Sequence, residues 1–228
     1  GTVEQRDFYG KAVKAMEAPI DISAADVIAK YIEAIGGEAK LKTIQDIESK
    51  SGMTMQGMNI DIVIKQKAPD KMSVETLMGG NVLSKQVFNG EKAKVTSPMG
   101  EQEVSGPELE DMKIQSTLNA ELYFEQLGVV VELKGLEDVE GSPAWKLQMT
   151  TPSGKNMVDF YDKESGFKVK SVNQQGQMSI TIMYSDYREV DGLMFPFQMK
   201  QIVGPQTFDV TTTSININKG IEDLVFKL

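Results

Sequence analysis

The chain contains no histidine and no cysteine, and these two absences exclude most of the familiar chemistry of enzymes. Histidine is the commonest general base and the commonest metal ligand, so neither a Ser-His-Asp arrangement nor a histidine-based zinc centre can be built. Without cysteine there is no disulfide, no thiolate nucleophile and no thiolate ligand. The sequence therefore predicts no catalytic residue, no metal site and no cofactor within the chain.

Positive charge and long apolar runs are also scarce. Arginine occurs only at Arg6 and Arg188, and 24 basic residues face 33 acidic ones, which gives a formal net charge of -9. A nucleic acid or an anionic membrane would require clustered lysine and arginine, which this sequence does not offer. No run approaches the roughly 18 apolar residues that cross a bilayer as a helix.

What the sequence does have is an alternation of apolar and polar residues with a period of two, repeated from Ile44 to Asn216. Turn signals rich in glycine and proline separate these runs by only a few residues. Strands this close in sequence pair antiparallel, because a parallel crossover needs a dozen or more residues. Roughly ten to twelve strands and a few helices predict a mainly β (α+β) protein whose antiparallel sheet curls around its helices.

The clearest single unit is the stretch 184–197, Tyr-Ser-Asp-Tyr-Arg-Glu-Val-Asp-Gly-Leu-Met-Phe-Pro-Phe. Apolar residues alternate on both sides of it, and Asp191-Gly192 supplies the positive φ that a tight hairpin turn requires. Pro196 cannot donate a hydrogen bond to a neighbouring strand. We therefore expect its strand at an edge of the sheet or beside a bulge.

Two helices are predicted from their end signals. Ser23 followed by Asp26 is typical of a capped helix start, and Gly36-Gly37 is typical of a helix end. A second helix should begin at Pro107 and run to about Asn119, since proline is favoured in the first turn and acidic residues follow it. Residues 1–20 show no periodic pattern, so we expect an N-terminal arm or linker there and one domain over 21–228.

Four segments, in order along the chain, carry a resemblance to a known family. They are Val27-Ile28-x-x-Tyr31-Ile32-x-Ala34-Ile35-Gly36-Gly37, Asp138-Val139-Glu140-Gly141 before Trp145-Lys146-Leu147, Tyr161-Asp162 before Ser165-Gly166-Phe167-Lys168-Val169-Lys170, and the stretch 184–197. Together they resemble outer-membrane lipoprotein-sorting proteins of the LolA/LolB type. The resemblance implies an incomplete antiparallel β-barrel around helices, an apolar cavity for lipoprotein acyl chains, and a place in the periplasm or cell envelope.

The chain is similar in particular to LolA-like modules that follow pitrilysin/insulinase-type zinc peptidases in some bacteria. That similarity implies that residues 8–19 end a preceding domain, to which any peptidase activity would belong. Family carriers hold a helical lid with an arginine on an early strand. The matching region here offers only Lys50, Lys65 and Lys67, and lysine lacks the planar fork of donors.

One set of apolar side chains should line the concave side of the sheet, opposite the first helix. Burial alone can hold an acyl chain, at about 0.8 kcal/mol per CH₂, so no polar ligand residue is required. The candidate ligand-binding residues are Ile60, Ile62, Ile64, Met72, Val74, Trp145, Leu147, Met149, Ile180, Ile182, Phe195 and Phe197.

Two alternatives stay open beside this hypothesis. The same residues could simply fill a core, in which case the domain would be a ligand-free interaction or positioning module. The acidic pairs near turn glycines could in principle hold a metal or act as acid and base, but we interpret them as solvated turn residues. Those pairs are Asp138/Glu140, Asp159/Asp162 and Asp186/Glu189.

Overall fold

The structure is a computed structural model that describes residues 21–55, 57–175 and 178–228. The predicted arm, residues 1–20, and the predicted turn at Gly176 lie outside the described residues. In the described part, no helix is long and apolar enough to span a membrane.

The helices are α1 (Ala24–Ala34), α2 (Glu38–Leu41) and α3 (Pro107–Ser116), with 3-10 turns at Ala120–Tyr123 and Asp223–Phe226. Helix α1 begins as predicted. The Ser23 hydroxyl accepts the N–H of Asp26, while the Asp26 carboxylate accepts the N–H of Ser23. Helix α3 ends three residues earlier than predicted, because Thr117 adopts an extended conformation with ψ of 120°.

Thirteen strands form one sheet in the described residues: β1 (Asp46–Met55), β2 (Met58–Lys67), β3 (Lys71–Met78), β4 (Asn81–Phe88), β5 (Ala93–Ser97), β6 (Gly100–Val104), β7 (Val130–Val139), β8 (Ser142–Thr150), β9 (Asn156–Asp162), β10 (Lys168–Gln175), β11 (Met178–Val190), β12 (Leu193–Val203) and β13 (Gln206–Ile217). Their order is β6-β5-β4-β3-β2-β1-β13-β12-β11-β10-β9-β8-β7. Every neighbouring pair in this order is antiparallel, and β6 and β7 form the two edges. The predicted class, an open antiparallel sheet with a few helices, is confirmed.

Helix α3 lies between the two edges of this open sheet. Met112 packs with Phe88 and Ala93 near the β6 edge. Two residues later, Ile114 packs with Met149 near the β7 edge. Because one short helix contacts strands from both ends of the sheet, the sheet must curl around it.

The predicted hairpin joins β11 to β12 and docks on the end of α1. Asp191 and Gly192 have φ of 50° and 75°, as a tight turn requires. The N–H of Met194 donates to the carbonyl oxygen of Ile35 at 3.0 Å. Pro196 is not at an edge, because β12 is an interior strand. It does lie beside a bulge, since β13 shifts its register against β1 between Ser214 and Thr212, and the pairing of β12 with β13 begins only at Gln198.

The C-terminal segment crosses back over the start of β1. The Asp46 carboxylate accepts the N–H groups of Lys219 and Gly220, each at 3.0 Å. Lys67 reaches the same segment, donating to the carbonyl oxygen of Ile221 at 2.7 Å. Phe226 is buried at its end, with 2% of its surface exposed.

Candidate ligand-binding site

The twelve predicted residues all lie on one face of the sheet. Directly opposed residues of antiparallel strands point to the same side, and the register places Ile62 opposite Thr76 and Ile182 opposite Gln201. The same face carries Trp145, which packs against Val27 of α1. We call this side, the one that α1 and α3 cover, the inner face.

Six of the twelve are packed into clusters with the helices. Trp145 and Leu147 contact α1, and Met149 contacts α3. Met72 and Val74 contact Met112 of α3, and Phe195 joins the cluster around Ile35. These six side chains therefore pack the core of the fold.

The other six are not in these clusters, and four of them form a less covered part of the inner face. Ile60 and Phe197 are buried, with 1% and 9% of their surface exposed. Ile62, Ile64, Ile180 and Ile182 are only half-buried. None of the six belongs to a described cluster with a helix, so apolar surface on β2 and β11 stays partly exposed.

A pocket of about 530 Å³ opens between α2, the turn that joins β2 to β3, and the end of α3 with the segment after it, and none of the twelve predicted residues lines it. Its apolar floor includes Leu41, Ile44 and Leu118, all three of which are buried. Polar side chains stand at its edge, among them Lys42 and Lys113. The volume lies within the range of about 300–1,000 Å³ that is usual for small-molecule sites.

The pocket depends on the segment that connects α3 to β7. Asn119 holds this segment to α2, since its side-chain amide donates to the carbonyl oxygen of Leu41 at 3.2 Å. Tyr123 and Leu127, further along the segment, line the pocket wall. Sequence reasoning missed these residues because they belong to turns and helix ends.

A buried ionic cluster joins the same segment to the sheet. The ammonium of Lys168 on β10 lies 2.8 Å from the carboxylate of Glu121 and 2.9 Å from that of Asp159. Asp159 also accepts a hydrogen bond of 2.6 Å from the hydroxyl of Ser171. The ring of Tyr31 lies 5.4 Å from the ammonium, within cation–π distance. Lys168 therefore ties the sheet to both α1 and the 3-10 turn.

The electrostatics of this cluster favour its charged state. Burial alone would lower the pKa of the Lys168 ammonium, but the charges of Asp159 and Glu121 raise it well above its ordinary value. Burial alone would likewise raise the pKa of Glu121, yet Lys168 holds it below its ordinary value. Burial raises the pKa of the Tyr31 and Tyr161 hydroxyls well above their ordinary value, so both stay protonated donors. The cluster is thus a satisfied ion pair rather than a poised acid and base.

The interpretation of the acidic pairs as turn residues holds for Asp138 and Asp162 but fails for the other pair members that the structure places in strands. Asp186 and Glu189 are exposed residues of β11, where Asp186 pairs with Arg188 at 2.6 Å. The Asp138 carboxylate accepts the N–H of Gly141, and that of Asp162 accepts the N–H of Ser165, both within turns. Asp159 is instead buried, with 6% of its surface exposed, and pairs with Lys168. Among the described residues, no group of three acidic side chains could hold a metal ion.

The three lysines at the position of the family arginine do not reach the helices through any described ion pair. Lys50 and Lys65 pair with Glu48 at 3.4 and 3.6 Å. Lys67 pairs with Asp223 of the C-terminal segment at 3.1 Å. Lys168 on β10 does reach a helical element, since it pairs with Glu121 of the 3-10 turn at 2.8 Å.

No family model and no curated protein sequence matches the chain. Solved structures do match it over almost its whole length. A LolA superfamily protein from Nitrosomonas europaea superposes with a TM-score of 0.61 and 11% identity, covering 91% of this chain and 98% of its own. The chain has a LolA-like fold.

Two further structures agree with this LolA-like fold. A domain described as a candidate outer membrane lipoprotein-sorting protein from Vibrio parahaemolyticus has a TM-score of 0.59 at 11% identity and covers 89% of this chain and 95% of its own. A DUF1329 family protein from Desulfovibrio piger has a TM-score of 0.59 at 14% identity, with coverage of 90% and 95%. Identities this low establish the architecture alone. The open sheet and helical filling expected from the resemblance are confirmed.

Proposed function

We propose that this LolA-like domain is a non-catalytic binding domain of the periplasm or cell envelope that takes up lipoprotein acyl chains or another apolar ligand. The observation that carries the proposal is the pocket of about 530 Å³ with a floor of Leu41, Ile44 and Leu118. Partly exposed isoleucines on the inner face, Ile62 and Ile182 among them, extend the apolar surface. The description of the Vibrio domain as a lipoprotein-sorting protein supports the same ligand class.

Hydrophobic burial is strong enough for this task. A sixteen-carbon acyl chain gains on the order of 12 kcal/mol gross when it is fully buried, before the entropy losses of binding. The charged residues of the pocket lining are of both signs, since Lys42 and Lys113 stand with Asp70, and Lys42 is paired with Glu38. The pocket edge therefore sets no preference for the charge of the ligand's polar end. The buried cluster around Lys168 keeps the pocket wall in place but does not touch the pocket floor.

The domain division belongs to the same proposal. We assign residues 21–228 to the binding domain and residues 1–20 to an arm or linker. The association with a preceding zinc peptidase stays a prediction. The alternative, a ligand-free positioning module, draws support from the six inner-face residues that are packed against helices.

A pocket-filling variant tests the proposal. Leu127 lines the pocket and is half-buried, so Leu127→Trp should occupy volume that a ligand needs. We expect at least a tenfold weaker affinity for a fluorescent long-chain acyl probe, equivalent to about 1.4 kcal/mol. The matched control is Leu224→Trp, which alters a leucine with 63% of its surface exposed and should leave affinity unchanged. Equal affinity in all three proteins would place the ligand elsewhere, and no binding by the unmodified protein would favour the positioning module.

A further inference from the structure

Five β-hairpins place their turns at one end of the sheet. They join β1 to β2, β3 to β4, β5 to β6, β10 to β11 and β12 to β13. Strand direction alternates across an antiparallel sheet, and Met53 near the end of β1 lies opposite Val210 near the start of β13. The strand ends that these hairpins join therefore lie at the same end of the sheet, which we call the tip end; of the β10–β11 hairpin, the structure describes the strand ends Gln175 and Met178.

The tip end differs from the opposite end in charge. Residues 54–59, 77–82, 96–100, 174–179 and 202–207, which contain the five turns, include no Asp, Glu, Lys or Arg, although 25% of the chain is charged. Every turn at the opposite end carries charge, including Asp70, Glu91 and Asp191. A sixth turn at the tip end, between β8 and β9, does carry charge. Its Lys155 lies 3.8 Å from the carboxylate of Asp111, and both line a shallow depression with Glu108 of α3 and Gln174.

Large apolar side chains project from these uncharged turns. Met58, Val82, Met99 and Met178 have 43%, 55%, 98% and 58% of their surface exposed. They are four of the seven large apolar side chains that are exposed in the described part of the chain. The four lie on separate hairpins at the same end of the sheet, so together they give that end an apolar character without forming one continuous patch. Methionine, which is flexible, adapts to a fluid partner.

We propose that the tip end docks on an uncharged, zwitterionic lipid surface. A net charge of -9 opposes an anionic bilayer, and the absence of charge at the turns removes the cost of bringing ions into the headgroup region. The inner face begins next to this surface, since Ile60 and Ile180 each lie two residues from an exposed methionine, Met58 and Met178. An acyl chain leaving the bilayer at the tip end would meet the inner face first and would reach the pocket only beyond it, because the pocket lining includes Asp70 of the opposite end. This step rests on the proposed function, whereas docking does not.

Sedimentation with phosphatidylcholine vesicles tests the docking. We expect the unmodified protein to co-sediment with them, with little dependence on salt, and the double variant Met99→Asp, Met178→Asp to lose at least tenfold in affinity. The control Leu224→Asp adds a charge at an equally exposed apolar side chain on the C-terminal 3-10 turn, outside the tip end. It should bind vesicles as the unmodified protein does.

Absence of vesicle binding by the unmodified protein overturns the proposal, and so does an equal loss in Leu224→Asp. Binding that requires phosphatidylglycerol and disappears in salt would show an electrostatic contact and would also overturn it. The fluorescent acyl probe, offered without vesicles, should bind the double variant as tightly as it binds the unmodified protein. If the unmodified protein binds vesicles but does not bind the acyl probe, the proposed function is contradicted and the docking proposal still holds.

Discussion

Replacing Lys168 with methionine is expected to lower the free energy of unfolding by about 3–5 kcal/mol, because two carboxylates would then be buried without their cation. Asp159 and Glu121 both lie within 3 Å of the Lys168 ammonium, and their side chains are only 8% and 17% exposed. Methionine has a similar length, so little of the effect would come from lost volume. Urea denaturation followed by circular dichroism measures the change.

A matched variant separates this effect from the general loss of a surface charge. Lys134 pairs with Glu132 at 3.1 Å, but both side chains are well exposed, so Lys134→Met should cost less than about 1 kcal/mol. Adding Glu121→Gln to Lys168→Met should restore part of the lost stability, since one of the two unpaired charges is removed. Equal stability of the Lys168 and Lys134 variants would show that the buried cluster contributes nothing to holding the helical segment on the sheet.

Replacing Leu147 with alanine is expected to cost about 2–5 kcal/mol, because the side chain is fully buried where the inner face meets α1. The cost combines lost hydrophobic transfer with the cavity left between Val27 and Trp145. Leu224→Ala provides the control, since 63% of that leucine is exposed and its change should lie within about 0.5 kcal/mol. A loss below about 1 kcal/mol at Leu147 would mean that α1 does not pack on the sheet as described.

The parts of the fold that could be predicted from the sequence are those that are determined by residues close together in the chain. The β11–β12 hairpin follows from alternating faces around a dipeptide that accepts positive φ, Asp191-Gly192. The start of α1 follows from Ser23 and Asp26, which satisfy each other's backbone N–H groups. Alternation also placed all twelve candidate residues on one face, because the side-chain period of a strand is fixed at two.

The ionic cluster could not be found in this way because a bulge reverses the alternation. Strict alternation puts Lys168 and Lys170 on the same face of β10, but the register with β9 shifts between them. Lys168 therefore lies opposite Tyr161 on the inner face, while Lys170 lies opposite Phe160 on the outer one. A bulge of this kind leaves no mark in a pattern of apolar and polar residues.

The pocket was missed for a different reason. Its walls come from α2, the turn between β2 and β3, and the segment after α3, which are far apart in sequence. Leu41 and Leu127 meet only because the sheet curls and α3 contacts both of its edges. Periodicity within one element carries no information about how three elements meet.

The central claim is that this LolA-like domain takes up an apolar ligand, and thermal unfolding with a long-chain fatty acid tests it most directly. A ligand present at a hundred times its dissociation constant stabilises the native state by about 2.7 kcal/mol. For a domain of this size, that corresponds to a rise in the unfolding midpoint of roughly 5–10 °C, increasing with ligand concentration. Butyrate, which has the same carboxylate but little to bury, should give no shift. An unchanged midpoint at every concentration of the long-chain acid would contradict the claim.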